Sequence, residues 1–313
     1  MNFIQKYSEL QNSLELLNSE PKQLNSNDVY EYVAMNISPD FEWLAVGGLY
    51  IDNIVLWKIS SQTQTKVIGT QMNEDLGQLE FSKDSIYLAA CGSSIKIIIW
   101  KMKELDGNPI ILDGHQSRIW RIQFFNKPLI DILCSGSSDS SVKIWNVTQK
   151  QLLQTFNINE DNSIFSVGIS INNKWILIVG NDSKTLILDS KRLKLISQSK
   201  ICENQLYFIG FPQHTCQYYA CSGMDEYVRL LTKNKLIRKI HFPENWKWQI
   251  EFTCQSILVV SSINSILFWD ISRGIQIKVL QNIFYTYPSF QFKYLEQGLC
   301  ATASKFMIKL WIK

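Results

Sequence analysis

The sequence predicts an all-β fold, a closed β-propeller of seven four-stranded blades, because three ladders of recurring residues keep step along it. An apolar residue closes a strand-like run at Trp57, Trp100, Trp145, Leu188, Leu231, Trp269 and Trp311, at spacings of 43, 45, 43, 43, 38 and 42 residues. Gly48, Gly92, Gly136, Gly180 and Gly223, spaced 43 or 44 apart, mark the end of the strand before it, where a tight turn tolerates a residue without Cβ. In the first strand of each unit, Ile37, Phe81, Phe124, Ile169, Phe211, Phe252 and Phe292 recur every 40 to 45 residues. Ten tryptophans could form one such ladder by chance, so the agreement of three carries the repeat.

Taken in order, residues 1–20 stand apart as an amino-terminal extension, and residues 21–313 form the propeller. Phe3, Tyr7, Leu10, Leu14 and Leu17 recur at steps of four and three, which predicts a helical stripe that Pro21 ends. Such a helix is marginal alone in water and needs the propeller or a partner helix to pack on. Outer strands are expected near 64–68, 109–112, 151–156, 193–197, 236–240 and 275–280. That makes six, and the last unit needs a fourth strand from elsewhere. Leu24 lies 13 residues before Ile37, the offset that separates Ile68 from Phe81. The stretch from Pro21 to Asn25 is therefore the expected closing strand, which would join the two termini in one sheet.

The fullest unit reads Asp113-Gly114-His115, then Ile119-Trp120-Arg121-Ile122-Gln123-Phe124, then Ser135-Gly136-Ser137-Ser138-Asp139, and finally Ile144-Trp145-Asn146. On these residues the sequence resembles a WD repeat, whose pattern runs from a Gly-His pair to a closing Trp-Asp. The resemblance implies a buried structural tetrad of His115, Ser135, Asp139 and Trp145 that braces its blade and does not catalyse. Other units depart from the pattern. Asp182 and Asp225 keep the acid without the tryptophan, Ser222 keeps the hydroxyl, the first unit has Asp52 one place late, and Ser94, Ile263 and Lys305 replace the acid elsewhere. Fold stability must then come mostly from apolar packing between blades.

Composition excludes several classes. Hydrophobic residues make up 46% and prolines number only 7, which argues for a packed chain. No apolar run approaches the ~20 residues of a membrane span, and the start lacks the pattern of a secretory signal. A non-secreted, cytoplasmic protein with no cofactor is expected, with nuclear or cytoskeletal assemblies left open. Seven cysteines without a Cys-x-x-Cys spacing, beside three histidines, predict reduced thiols and no metal. A net charge of +3 does not by itself imply nucleic acid.

Two surfaces are candidates for binding. Loops leading into the first strands converge on the central channel, and there Arg118, Trp120, Arg121, Phe165, Tyr207, Trp246 and Trp248 form a candidate protein-binding face. The same aromatics could instead fill the wedge between blades. A candidate basic rim gathers Lys191, Arg192, Lys194, Lys233, Lys235, Arg238 and Lys239 around neighbouring outer strands. Such cations also keep edge strands from pairing. The expected function is a non-catalytic scaffold for protein–protein interactions as a subunit of a larger complex. The alternative is an RNA- or ribonucleoprotein-binding module that uses the rim.

Overall fold

Continuous apolar runs such as Ile54-Val55-Leu56-Trp57 and Ile97-Ile98-Ile99-Trp100 suit strands covered on both faces. Both are buried third strands of four-stranded sheets. The computed structural model describes residues 22–24 and 32–312, apart from 49–52, 71–74, 127, 130, 159–161, 213–214, 234, 243–246, 255–256, 263–264, 282–290, 296–298 and 305–306. At 22–24, 32–33, 247–248 and 253–254, and from 280 on, the description is of backbone alone. The expected helical stripe within residues 1–20 lies outside the described residues, as do Asp52, Ile263 and Lys305.

The described strands pair into seven four-stranded antiparallel sheets. Blade 1 is built from Tyr32–Ile37, Trp43–Gly48, Asn53–Lys58 and Thr63–Gly69, from inner to outer strand. Blade 2 follows with Leu76–Phe81, Tyr87–Gly92, Lys96–Lys101 and Ile110–Asp113, and blade 3 with Ile119–Phe124, Ile132–Ser137, Ser141–Asn146 and Gln151–Asn157. Blade 4 comprises Ile164–Ile169, Trp175–Gly180, Lys184–Asp189 and Lys194–Lys200. Blade 5 comprises Leu206–Gly210, Tyr219–Gly223, Tyr227–Leu231 and Leu236–His241. Blade 6 is Lys247–Cys254, Ile257–Ser262, Ser265–Asp270 and Ile275–Gln281. These six carry most of the side-chain description. The remaining sheet, known by its backbone, joins Gln291–Leu295, Leu299–Ser304 and Met307–Ile312 to Lys22–Leu24, with Leu24 opposite Ile308. The architecture is an all-β propeller.

The core sits between blades. Leu56 of blade 1 clusters with Leu79, Phe81 and Trp100 of blade 2, and Ile99 of blade 2 clusters with Ile122, Phe124 and Trp145 of blade 3. Among the described residues, each core cluster spans two adjacent blades, so neighbouring sheets bury their faces on one another.

Two expectations from the repeat need correction. Phe211 lies just beyond the inner strand of blade 5, which stops at Gly210. Pro212 follows, and a residue before proline is constrained while proline itself has no N–H for the ladder. The glycine ladder also has another cause than turn conformation. A Cβ on Gly92, Gly180 or Gly223 would overlap the backbone carbonyl of Asp75, Ser163 or Gln205, where the chain enters the inner strand of the same blade. Glycine is needed there for close backbone approach.

Two series of β-bulges shape the surfaces. In the inner strands of blades 1 to 6 the pairing passes over the second residue, in turn Val33, Gly77, Trp120, Phe165, Tyr207 and Trp248. In the outer strands of blades 1, 3, 4, 5 and 6 it passes over Thr65, Leu153, Ile196, Ile237 and Ile277. A bulged residue is released from the ladder and its side chain is re-aimed.

Candidate protein-binding face

The residues of the expected brace converge within blade 3. Gly114 sits at φ +150°, and a Cβ there would press on the Trp145 ring, so only glycine suits the position before His115. The indole N–H of Trp145 can only donate, and it donates to Ser135 Oγ at 2.8 Å. The same Ser135 Oγ lies 2.7 Å from His115 Nε2. A carboxylate can only accept, so His115 Nδ1 donates to Asp139 Oδ2 at 2.7 Å. Burial alone would raise Asp139, but hydrogen bonds from His115, from Ser141 and from the Gln116 N–H outweigh it and hold the carboxyl well below the usual carboxylate range. Ser135 is fully covered and its oxygen is engaged by two rings, so the trio offers no open nucleophile.

Next to this brace, the inner-strand bulges assemble an aromatic arc across three blades. The Arg118 guanidinium lies 4.3 Å from the centre of the Trp120 ring, while its Nη1 donates to Ser93 Oγ of blade 2 at 2.8 Å. Trp120 donates its indole N–H to Ser138 Oγ at 2.7 Å and meets Phe165 edge-on at 5.3 Å. Phe165 stacks on Tyr207 at 4.5 Å with only 7° between the ring planes, and the Tyr207 hydroxyl donates to Gln205 Oε1 at 2.6 Å. All four side chains are half-buried. Trp248 holds the bulge position of blade 6 and is described by its backbone, while Trp246 lies outside the described residues.

Arg121 was expected on this face but lies on the wall of the central channel, a cavity of about 560 Å³. Its guanidinium stands 4.9 Å from the Phe208 ring centre of blade 5, and burial lowers it from its ordinary value. The bulge at Trp120 separates the two side chains: it turns the tryptophan outward and leaves Arg121 in the ladder opposite Gly136.

The channel also holds residues that sequence reasoning missed. Gln78 Oε1 accepts the Ile122 N–H at 2.7 Å, and Gln123 Oε1 accepts the Ile169 N–H at 2.9 Å, so each glutamine ties its inner strand to that of the next blade. Asn36 likewise donates to the Leu79 carbonyl and to Glu80, both at 3.0 Å. At the other end of the inner strands a Ser-x-Asp/Asn turn recurs. Ser38, Ser82 and Ser170 each donate to the acid or amide two residues on and accept the N–H five residues on. The signal was present as polar residues at repeat spacing inside apolar strands.

The basic rim divides. Lys191, Arg192, Lys194, Lys233 and Lys235 are exposed and make no ion pair among the described residues, although the Lys233 ammonium lies 5.7 Å from the Trp175 ring centre. Arg238 does not belong with them, because it packs over Gly274 of blade 6, where a Cβ would strike its guanidinium. Lys239 rests its ammonium 3.5 Å from the Tyr227 ring centre of its own blade. Cys91, Cys134 and Cys221 are buried free thiols, with Cys91 and Cys221 pushed up to about 12 by burial. Among the described residues no cluster of His, Cys, Asp and Glu could hold a metal ion, and no helix is long and apolar enough to cross a membrane.

The family described as "WD domain, G-beta repeat" matches residues 109–146, the segment that holds the complete brace. The chain is similar to nuclear distribution protein nudF of Aspergillus niger, 21% identical over 215 residues that cover 61% of this chain and 48% of that protein. WD repeat-containing protein 89 homolog of Dictyostelium discoideum is 26% identical over 218 residues, 64% of this chain and 56% of that protein. COMPASS component SWD3 of Saccharomyces cerevisiae is 26% identical over 157 residues, 50% of this chain and 47% of that protein. The chain spans about half the length of these curated relatives. Its repeat period, its propeller sheets and the matched segment support a WD-repeat β-propeller family for this chain, with no specific member singled out.

Proposed function

We propose that the chain is a rigid, non-catalytic platform that scaffolds other proteins within a cytoplasmic or nuclear assembly, and that it binds them through the arc Arg118–Trp120–Phe165–Tyr207. The observation that supports this reading is the arc itself. Three aromatic side chains and a guanidinium, prealigned by bulges and pinned by hydrogen bonds to Ser93, Ser138 and Gln205, present half-exposed apolar area. Rigid aromatic and arginine anchors of this kind lose little entropy on binding and dominate interface energetics. One matched relative is itself named as a component of a complex, COMPASS. In the same reading the ring has seven blades and is closed by the Lys22–Leu24 strand, so removal of residues 1–26 produces an aggregating or far less stable protein.

The test is affinity purification of the tagged chain beside the Arg118→Ala, Phe165→Ala, Tyr207→Ala triple variant, with unfolding temperatures measured for both. The expected result is loss of one or more partners at an unchanged fold. Identical partner lists from a folded variant would remove the arc from consideration.

A further inference from the structure

The outer-strand bulges carry a pattern that the arc does not explain. At each bulge the pairing brings one residue opposite the closing position of the third strand and leaves the next unpaired. In blades 3, 4 and 5 both residues are large and apolar: Leu152 and Leu153, Leu195 and Ile196, Leu236 and Ile237. All six are between 37% and 50% exposed. Blade 1 has Gln64 and Thr65 at these places, and blade 6 has Gln276 and a half-buried Ile277. Three consecutive doublets are more than the scattered single apolar residues of an ordinary surface.

Cations alternate with these doublets around the rim. The turn into the blade 4 outer strand carries Lys191 and Arg192, and the turn into that of blade 5 carries Lys233 and Lys235. Gln154, beside Leu153, donates to the Lys191 carbonyl at 3.1 Å, and Ser197, beside Ile196, donates to the Lys233 carbonyl at 3.4 Å. Each cationic turn is thereby set next to the apolar doublet of the blade before it. The nearby carboxylate of Asp189 is turned inward and caps the N–H groups of Lys191 and Arg192.

We propose that the rim of blades 3 to 5, at the end where the third strands turn into the outer strands, is a second docking surface. Its occupant is a protein segment that alternates acidic and apolar side chains. The order around the rim is apolar, cationic, apolar, cationic, apolar, and a polypeptide of the complementary alternation satisfies every element of it. A nucleic-acid backbone would use the cations and leave the doublets in water. A flat anionic bilayer would reach one doublet at a time, because successive blades turn away around a ring. The proposal is independent of the arc.

The test measures fluorescence anisotropy of a labelled synthetic peptide of alternating Glu and Leu, titrated with the full chain. One variant combines Leu195→Ser, Ile196→Ser, Leu236→Ser and Ile237→Ser, and another combines Lys191→Glu, Lys233→Glu and Lys235→Glu. Each is expected to weaken binding about tenfold, as is replacement of Leu by Ser in the peptide, while the Phe165→Ala, Tyr207→Ala variant binds as wild type. The substituted rim positions are all exposed, and unfolding temperatures control for folding. Failure of the peptide to bind, indifference to the four serines, or tighter binding of oligouridylate or phosphatidylserine vesicles would each overturn the proposal.

Discussion

Blades 3 and 5 place an aspartate in the same turn, six residues before the closing apolar residue: Asp139 before Trp145 and Asp225 before Leu231. In blade 3 the carboxylate meets the His115 ring, and the relay through His115, Ser135 and Trp145 reaches from the loop before the inner strand to the second and third strands. In blade 5 Cys202 stands at the histidine position, five residues before its bulged aromatic as His115 is before Trp120. There Asp225 turns instead to Arg229, four residues on, in a bidentate ion pair whose arginine is only 2% exposed. Burial alone would lower Arg229, but the hydrogen bonds to Asp225 outweigh it and raise it. Ser222, the counterpart of Ser135, has a buried hydroxyl with no partner among the described residues. The same turn acid can thus be satisfied by a relay that ties strands together or by an ion pair with an arginine four residues on. The first resists loosening of the blade, whereas the second stands or falls with one buried charge.

Breaking the local pair should have the largest effect. Asp225→Ala strands the Arg229 charge and is expected to cost about 3–5 kcal/mol, and Arg229→Met in the same chain should recover most of that. Chemical denaturation of the two variants checks it, and no recovery in the double variant would mean that the pair is not an isolated unit. Ser135→Ala removes two of the three links of the relay and takes the Ser135 oxygen away from the indole N–H and His115 Nε2, at about 1–3 kcal/mol. Ser222→Ala, the matched change in blade 5, is expected within about 0.5 kcal/mol of wild type. A Ser222→Ala cost equal to that of Ser135→Ala would erase the distinction between the blades.

The smallest effect is the pH dependence of the relay. The Asp139 carboxyl is depressed in the folded chain, so its contribution is fully present above the ordinary unfolded value of about 3.9 and is lost as pH falls through its lower folded value. The stability difference between wild type and Asp139→Asn should therefore stay constant from neutral pH to about pH 4 and narrow below it. Denaturation midpoints at graded pH measure this, and narrowing already above pH 5 would contradict it.

Most of the strand plan was legible because blades repeat: the ladders at Trp57, Gly92 and Phe124 located strands whose observed limits differ by only a few residues. The slip at Phe211 came from a proline that the repeat does not encode. The brace of blade 3 was legible through its resemblance alone, and the aromatic position was legible as a ladder. Arg121 and Arg238 were misplaced because adjacent residues in a sequence share a surface only if the backbone between them is regular. Bulges and packing on the next blade decided otherwise.

The sequence by itself determined the repeat, its strand order and the residues of one complete brace, since each depends on local periodicity or on a motif within one unit. Only the tertiary structure decided which residues face the channel, which cations stay exposed and how doublets and lysines alternate on the rim. Those features arise from β-bulges and from contacts between blades about 44 residues apart, such as Gln78 with Ile122. A one-residue shift in pairing is invisible in composition, yet it turns a side chain from the ladder toward solvent.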